Sequence, residues 1–393
     1  MNNLQKMHLQ LNSLTIFRNI LNSPVISKFE NLLSHISDST LAVKFYADFV
    51  SELYLSCDNF SDYIYNFVLE DENFYIKAKS KGQTFDTVIE KTLEHDLLVL
   101  QHLSRITPND LKSSINYDGF LPDWSTSEYD FVASYRERLA NVSRHGFGMF
   151  AKHHMFYALD DRLIPVKYPD SQSLEKLIRY EREREIVIQN TLALLEGKKA
   201  SNVLLYGDAG TGKSSTVKAI VNNFKDEGLR LIEVKKHQLH RLPDIFEQLA
   251  GLPLKFIVFI DDLSFSENDD NFTALKALLE GSAYSVSDNV VIYATSNRRH
   301  LVKESFSSRV GDEIHVSDTL QEISSLAARF GLKVTFDKPD KEVYLTIVKQ
   351  IAVDYGVPVD ENLLINAEAY AIRNNGRSPR AAKQFIELQK SNL

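Results

Sequence analysis

Cysteine is almost missing from this chain: Cys57 stands alone among 393 residues. A single thiol excludes an internal disulfide, and no spacing of ligands supplies a zinc cluster. Cys57 then reads as a small interior side chain. Long apolar runs are missing too. "FIVFI" at 256–260 and "VVIYA" at 290–294 fall far short of the ~20 residues of a membrane-spanning helix and read as buried strands. The N-terminal "MNNLQKMHLQLNSLTIF" has no secretory-leader shape, because Gln, Asn and His break its apolar residues, so a cytoplasmic chain without membrane association is expected. Positive charge is also short. The net charge is −8, and residues 1–195 hold 26 Asp and Glu against 20 Lys and Arg. Such a field repels phosphate backbones and disfavours nucleic acid as a partner, although a local basic groove is compatible with it.

The remaining composition, 44% hydrophobic and 25% charged, is that of a globular protein, and the length predicts two or three domains. From 1 to about 160 the periodicity is helical: "KFENLLSHISDSTLAVKFYADFVSELYLS" and "TFDTVIEKTLEHDLLVLQHLSRI" place apolar residues three and four apart. "FSDYIYNFVLEDENFYI" holds six aromatics in seventeen residues, which suits a packed aromatic core or a partner-binding surface. Two prolines and a polar cluster in "LIPVKYPDSQS", 163–173, mark a boundary. "SLEKLIRYEREREIVIQNTLALLEG" then reads as a helix ending at Gly197, with the charged "YEREREI" as a solvated face. From 200 the pattern alternates strands with helices: "NVLLYG", "LRLIEVKK", "KFIVFIDD", "NVVIYATSN" and "LKVTF" are the strands of a parallel sheet covered on both faces. After Pro339 three helices are expected, at about 340–354, 360–374 and 379–391.

Chemistry concentrates in "GDAGTGKSS", 207–215. Gly207, Asp208, Ala209, Gly210, Thr211, Gly212, Lys213 and Ser214 fit G-x-x-x-x-G-K-[ST], and Ser215 follows. The glycines let backbone N–H groups converge on phosphate oxygens, Lys213 brings a point charge to the β- and γ-phosphates from an exposed loop, and Ser214 offers a hydroxyl to Mg²⁺. A strand precedes the loop, and "KSSTVKAIVNNF" presents a helix N-terminus to the same oxygens. Downstream, "FIVFIDD" ends in Asp261, suited to Mg²⁺, and Asp262, suited to orienting and deprotonating a water. Asn297, ending the "NVVIYATSN" strand, is a candidate contact for the γ-phosphate or that water, or a simple cap of the turn.

On these residues, over about 163–393, the chain resembles the AAA+ ATPases. The phosphate loop, the "IDD" strand end, "YATSNRRH" as sensor 1, "AARFG" as an arginine finger and "GRSPRAAKQF" as sensor 2 come in that family's order. Within AAA+ it looks most like a bacterial family known only as a domain of unknown function, with similar "GTGKSS", "DDLSF", "YATSNRRHL" and "RFGL" segments. The resemblance implies ATP and Mg²⁺ as ligands, ADP and phosphate as products, and a homo-oligomer. It implies an α/β AAA+ P-loop three-layer domain, 161–338, a helical lid, 339–393, and a mostly helical N-terminal domain, 1–160, that recognises a client or regulates the motor.

It also implies roles. Arg329 would reach a neighbouring subunit's ATP, with Arg309 as second choice, and Arg380 would contact the γ-phosphate within its own subunit, with Arg377 as the alternative. Arg298 and Arg299 would serve the interface. The adenine pocket would involve 174–181, where Arg179 replaces the glycine many AAA+ chains carry. Asp262 departs from the usual glutamate, which sets its carboxylate one methylene further back and makes slow hydrolysis plausible. Three functions compete: an ATPase acting on a macromolecular client, a protein client being favoured; a slowly hydrolysing nucleotide switch; and an initiator- or loader-like ATPase acting on DNA.

Overall fold

The computed structural model describes residues 3–263, 275–276, 278–279, 287–297, 328–374 and 376–391. The chain divides into two compact units, Met1–Lys152 and His153–Leu393.

The first unit is helical, as its periodicity requires. Its longer helices, Pro24–Ser34, Ser39–Tyr54, Phe60–Glu70, Thr87–Ser104 and Phe131–Ala140, start at side-chain caps: Ser23, Asp38, Asn59, Asp86 and Asp130 each accept a hydrogen bond from the first turn. Edge-to-face contacts of Phe49 with Phe29, Phe60 and Trp124, at 5.0–5.2 Å, form the centre of the core. Of the aromatic stretch, Phe60 and Tyr75 are buried and Tyr63, Tyr65 and Phe67 pack against the core. Phe74 is half exposed, so the core reading holds for most of it. Cys57 is partly buried at the core's edge, its thiol donating to the Asn59 carbonyl at 3.2 Å.

In the second unit, seven strands among the described residues form one sheet. They are β1 (Met155–Leu159), β2 (Arg162–Pro165), β3 (Val203–Gly207), β4 (Leu229–Glu233), β5 (Lys255–Ile260), β6 (Val290–Asn297) and β7 (Leu332–Phe336). Their order is β2-β1-β4-β5-β6-β3-β7, with every pairing parallel except that of β1 with β2. The five strands read from sequence are all present. β1 and β2 correct the expected division: residues up to about 160 do not all belong to the helical part, because β1 pairs with β4 and the units divide at Lys152/His153. The hairpin turns at Asp160, whose φ is 47°.

One sheet face buries Leu205, Ile257, Phe259, Val291 and Tyr293 with Val187 and Leu194 of α1 (Glu181–Leu195) and Val217, Ile220 and Val221 of α2 (Lys213–Phe224). On the other face Leu204, Phe256, Val258, Ile260 and Ile292 are equally buried, so the β5 and β6 sequences are apolar without alternation. α3 (Leu242–Leu249) is tied to the start of β6, where Asn289 donates to the Leu249 carbonyl at 3.0 Å. α1 begins at Glu181, later than its periodicity suggests, because Arg179 and Tyr180 are both left-handed (φ 64° and 63°). The chain closes with α4 (Lys341–Tyr355), α5 (Glu361–Arg373) and α6 (Pro379–Lys390), capped by Asp340, Asp360 and Ser378, in the places expected.

Candidate functional site

The strand order sets β3 between β6 and β7, so the chain leaving β3 must cross β6 and β5 to reach β4. Crevices at the carboxyl ends of strands beside such a switch are where ligands bind in open α/β sheets. Here the β3 end is the phosphate-loop sequence. Gly207 has φ 142°, and a Cβ on it would overlap the Phe336 carbonyl. Gly210 and Gly212 follow at φ 78° and 94°, and α2 starts at Lys213. Residues 209–216 line a cleft of about 1040 Å³ together with Asp261, Asp262, Thr295, Asn297 and Arg380.

Lys213, expected on an exposed loop, is instead buried, at 6% of its free surface. Its Nζ donates to the carbonyls of Gly207 (2.9 Å) and Asp208 (2.7 Å) and to Asn297 Oδ1 (3.0 Å). Burial pushes its pKa down, opposed by Asp208, Asp261 and Asp262. Register sets Asn297 opposite Gly207, and its Nδ2 donates to Asp262 Oδ1 at 2.9 Å, so one amide joins the loop lysine to Asp262. Asp262 is left-handed, with φ 53°.

Asp261 Oδ1 accepts two hydroxyl hydrogen bonds, from Ser214 and from Thr295, each at 2.6 Å. This hydroxyl and carboxylate fit Mg²⁺, a hard cation that is usually held by one or two protein oxygens with phosphate and water filling its other positions. No group of three His, Cys, Asp or Glu suited to a metal occurs among the described residues.

The C-terminal helices complete the cleft. The Arg380 N–H donates to the Gly210 carbonyl at 3.3 Å, and a Cβ on Gly210 would sit 3.0 Å from Ser378 Oγ and 3.1 Å from Arg380 Cβ. Arg377 is committed elsewhere, its Nε donating to both Glu368 oxygens at 3.0 and 3.1 Å. Beyond the loop the lining mixes apolar side chains, Leu177, Ile178 and Tyr180 and, from α4, Ile347, Ile351 and Tyr355, with charged ones such as Lys176, Arg184 and Asp354. Arg179, standing where a glycine was expected, keeps a glycine-like backbone at φ 64°, and its carbonyl accepts a hydrogen bond from Arg184.

Arg329 lies apart. It precedes β7, whose Leu332 pairs with Val203 and whose Phe336 pairs with Gly207. Those four strand steps set it roughly 13 Å or more from the loop along the strand. It does not line the cleft. Arg298, Arg299 and Arg309 lie outside the described residues. Sequence reasoning passed over Thr295 and Ser378. Period two sets residues 295 and 297 on one side of a strand, but nothing in the sequence sets that side beside Asp261.

A phosphate-loop sequence ending β3, an acidic pair ending β5, a polar end to β6 and three C-terminal helices are the arrangement expected from the resemblance to AAA+ P-loop domains. The family model described as "Protein of unknown function (DUF815)" matches residues 150–393, and the chain belongs to that family. A search of curated proteins finds no match. Among solved structures, the Thermotoga maritima RuvB Holliday junction branch migration motor is similar at 18% identity and TM-score 0.38, over 56% of this chain and 64% of that one. The Aeropyrum pernix Orc1 protein in complex with DNA gives 17%, 0.40, 55% and 60%. The FIGL-1 AAA domain in complex with ADP gives 15%, 0.39, 57% and 74%. The matched part thus spans less than two thirds of the RuvB and Orc1 chains. No helix among the described residues is long and apolar enough to cross a membrane.

Proposed function

We propose that this chain is a cytoplasmic ATPase that binds ATP with Mg²⁺ in the cleft, hydrolyses it to ADP and phosphate, and uses the change to act on a macromolecular client. The observation that carries the reading is the convergence of Lys213, Ser214, Asp261, Asp262, Asn297 and Arg380 on one cleft. Loop N–H groups and Lys213 would hold the β- and γ-phosphates, the lysine exchanging its carbonyl partners for phosphate oxygens. Ser214 and Asp261 would hold Mg²⁺, which when bound neutralises charge gathering on the phosphates. Asp262 would take a proton from the attacking water, Asn297 would help place that water, and Arg380 would meet the γ-phosphate from the lid. The apolar side chains of Ile178 and Ile351 suit the base.

Arg329 would act between subunits. Its distance from its own loop is what a role in a neighbour's site requires, and such a role would need a homo-oligomer. The acidic helical unit would recognise the client, which favours a protein over nucleic acid. Turnover of Mg-ATP, measured with and without single-stranded DNA, tests the reading: DNA-independent phosphate release is expected, and neither turnover nor nucleotide binding would overturn it. A slow switch is the second reading, favoured by the short Asp262 side chain whose Oδ1 is already engaged by Asn297. Binding with turnover that stays slow in every condition would select it.

A further inference from the structure

Thr295 is buried at 2% of its free surface, on β6 between the phosphate-loop strand and the acidic strand. A buried hydroxyl needs partners, and this one has two of consequence. Its Oγ1 donates to Asp261 Oδ1 at 2.6 Å and accepts the backbone N–H of Asp262 at 2.9 Å. The Leu263 N–H continues the contact on the Thr295 carbonyl at 2.7 Å. One side chain therefore orients the carboxylate that faces Ser214 and holds the peptide at which the chain turns into the left-handed conformation of Asp262. A strand-end carboxylate is otherwise free to rotate about its side-chain bonds. With Ser214 on one side and Thr295 on the other, Asp261 Oδ1 is clamped between two hydroxyls.

We propose that Thr295 is a positioning residue for the divalent cation, setting Asp261 towards the metal and Asp262 towards the water. It touches neither phosphate nor metal, and acts through both aspartates. The inference rests on the proposed ATP and Mg²⁺ reading of the cleft. Partners of this kind in other metal sites change metal affinity by about 10–100-fold when removed.

The experiment follows the thermal shift of the full chain at fixed ATP while Mg²⁺ is titrated, for wild type, Thr295→Val and Thr295→Ser, with the ADP-induced shift in EDTA as reference. Valine keeps the volume and removes the hydroxyl, whereas serine keeps the hydroxyl. The expected result is a half-maximal Mg²⁺ concentration raised about tenfold in T295V, close to wild type in T295S, and an unchanged EDTA reference. An unchanged Mg²⁺ requirement in T295V overturns the proposal, and so does a shift in T295S as large as that in T295V, since packing of the methyl group would then be responsible. Should T295V fail to fold, T295S and Thr295→Ala supply the same contrast. A wild-type protein indifferent to ATP with Mg²⁺ would instead overturn the functional reading of the cleft.

Discussion

Replacing Lys213 by alanine separates the two things this lysine does. Without nucleotide it satisfies the Gly207 and Asp208 carbonyls and Asn297 Oδ1. Its loss leaves three acceptors, each costing ~1–3 kcal/mol if it stays dry. It also removes a cation whose burial is unfavourable. Removing the side chain leaves space beside the cleft that water would fill to reach the acceptors, so these effects should largely cancel. A net change near ~1 kcal/mol moves the melting temperature by about 2–4 °C in a domain of this size. The response to ligand is different in kind. A ligand that binds only the native state at a hundred times its Kd stabilises it by ~2.7 kcal/mol, which corresponds to roughly 5–10 °C. Wild type should show that rise with Mg-ATP, and Lys213→Ala should show almost none at the same concentration. Differential scanning fluorimetry with an ATP titration measures both quantities on the same samples. A rise in Lys213→Ala equal to that of wild type would refute the assignment of the loop, whatever its ligand-free melting temperature.

Asp262→Asn should keep the Mg-ATP thermal shift while phosphate release falls by ~10²-fold or more, as expected for loss of a general base, whereas Asp261→Asn should weaken the Mg²⁺ dependence of binding; unchanged turnover in the first would move the base elsewhere. In the lid, the hydrogen bond from Arg377 holds the Glu368 carboxyl below its ordinary 4.5, so the folded state takes up a proton less readily than the unfolded one. The stability this contributes is fully present above pH 4.5 and lost as pH falls through the folded value; melting temperatures from pH 6 to 3 should fall less steeply in Glu368→Gln, and parallel curves would exclude the pair. Arg329→Ala mixed with Lys213→Ala should be more active than the sum of the two alone, because an intact loop can then face an intact arginine on a neighbour, and strict additivity with a monomeric mass would rule that arrangement out.

Long apolar signals were legible and short or three-dimensional ones were not. The β5 and β6 runs and the lid helices announce themselves through composition and caps. β1 and β2 do not, because five- and four-residue strands turning at Asp-Asp carry little local signal. The start of α1 was misplaced because no residue-level rule anticipates two successive left-handed side chains at Arg179 and Tyr180. At the cleft, residue types and spacing singled out Lys213, Ser214, Asp261 and Asn297, whereas their pairings depend on β3, β5 and β6 lying side by side. That adjacency is a property of sheet order. It is why Thr295, chemically unremarkable in "YATSN", emerged only once β6 stood beside β5.

The same adjacency explains how events at the phosphate loop can reach the lid. The Gly207 Cα packs on the Phe336 carbonyl so tightly that no side chain fits. The residue after Phe336 is Asp337, on the short connection to α4, and its carbonyl accepts the Tyr180 hydroxyl at 2.6 Å, while the Tyr180 ring leans on Phe336 at 5.3 Å. Three positions further along the loop, Gly210 offers its carbonyl to Arg380 at the start of α6. The loop thus touches the end of β7, just ahead of the lid, and the start of the lid's last helix. A loop that reshapes around phosphates would disturb both contacts, because the first has no free volume and the second adds a hydrogen bond to close packing on Ser378 and Arg380. The tight contact would then act as the pivot and the 3.3 Å bond as the part that yields.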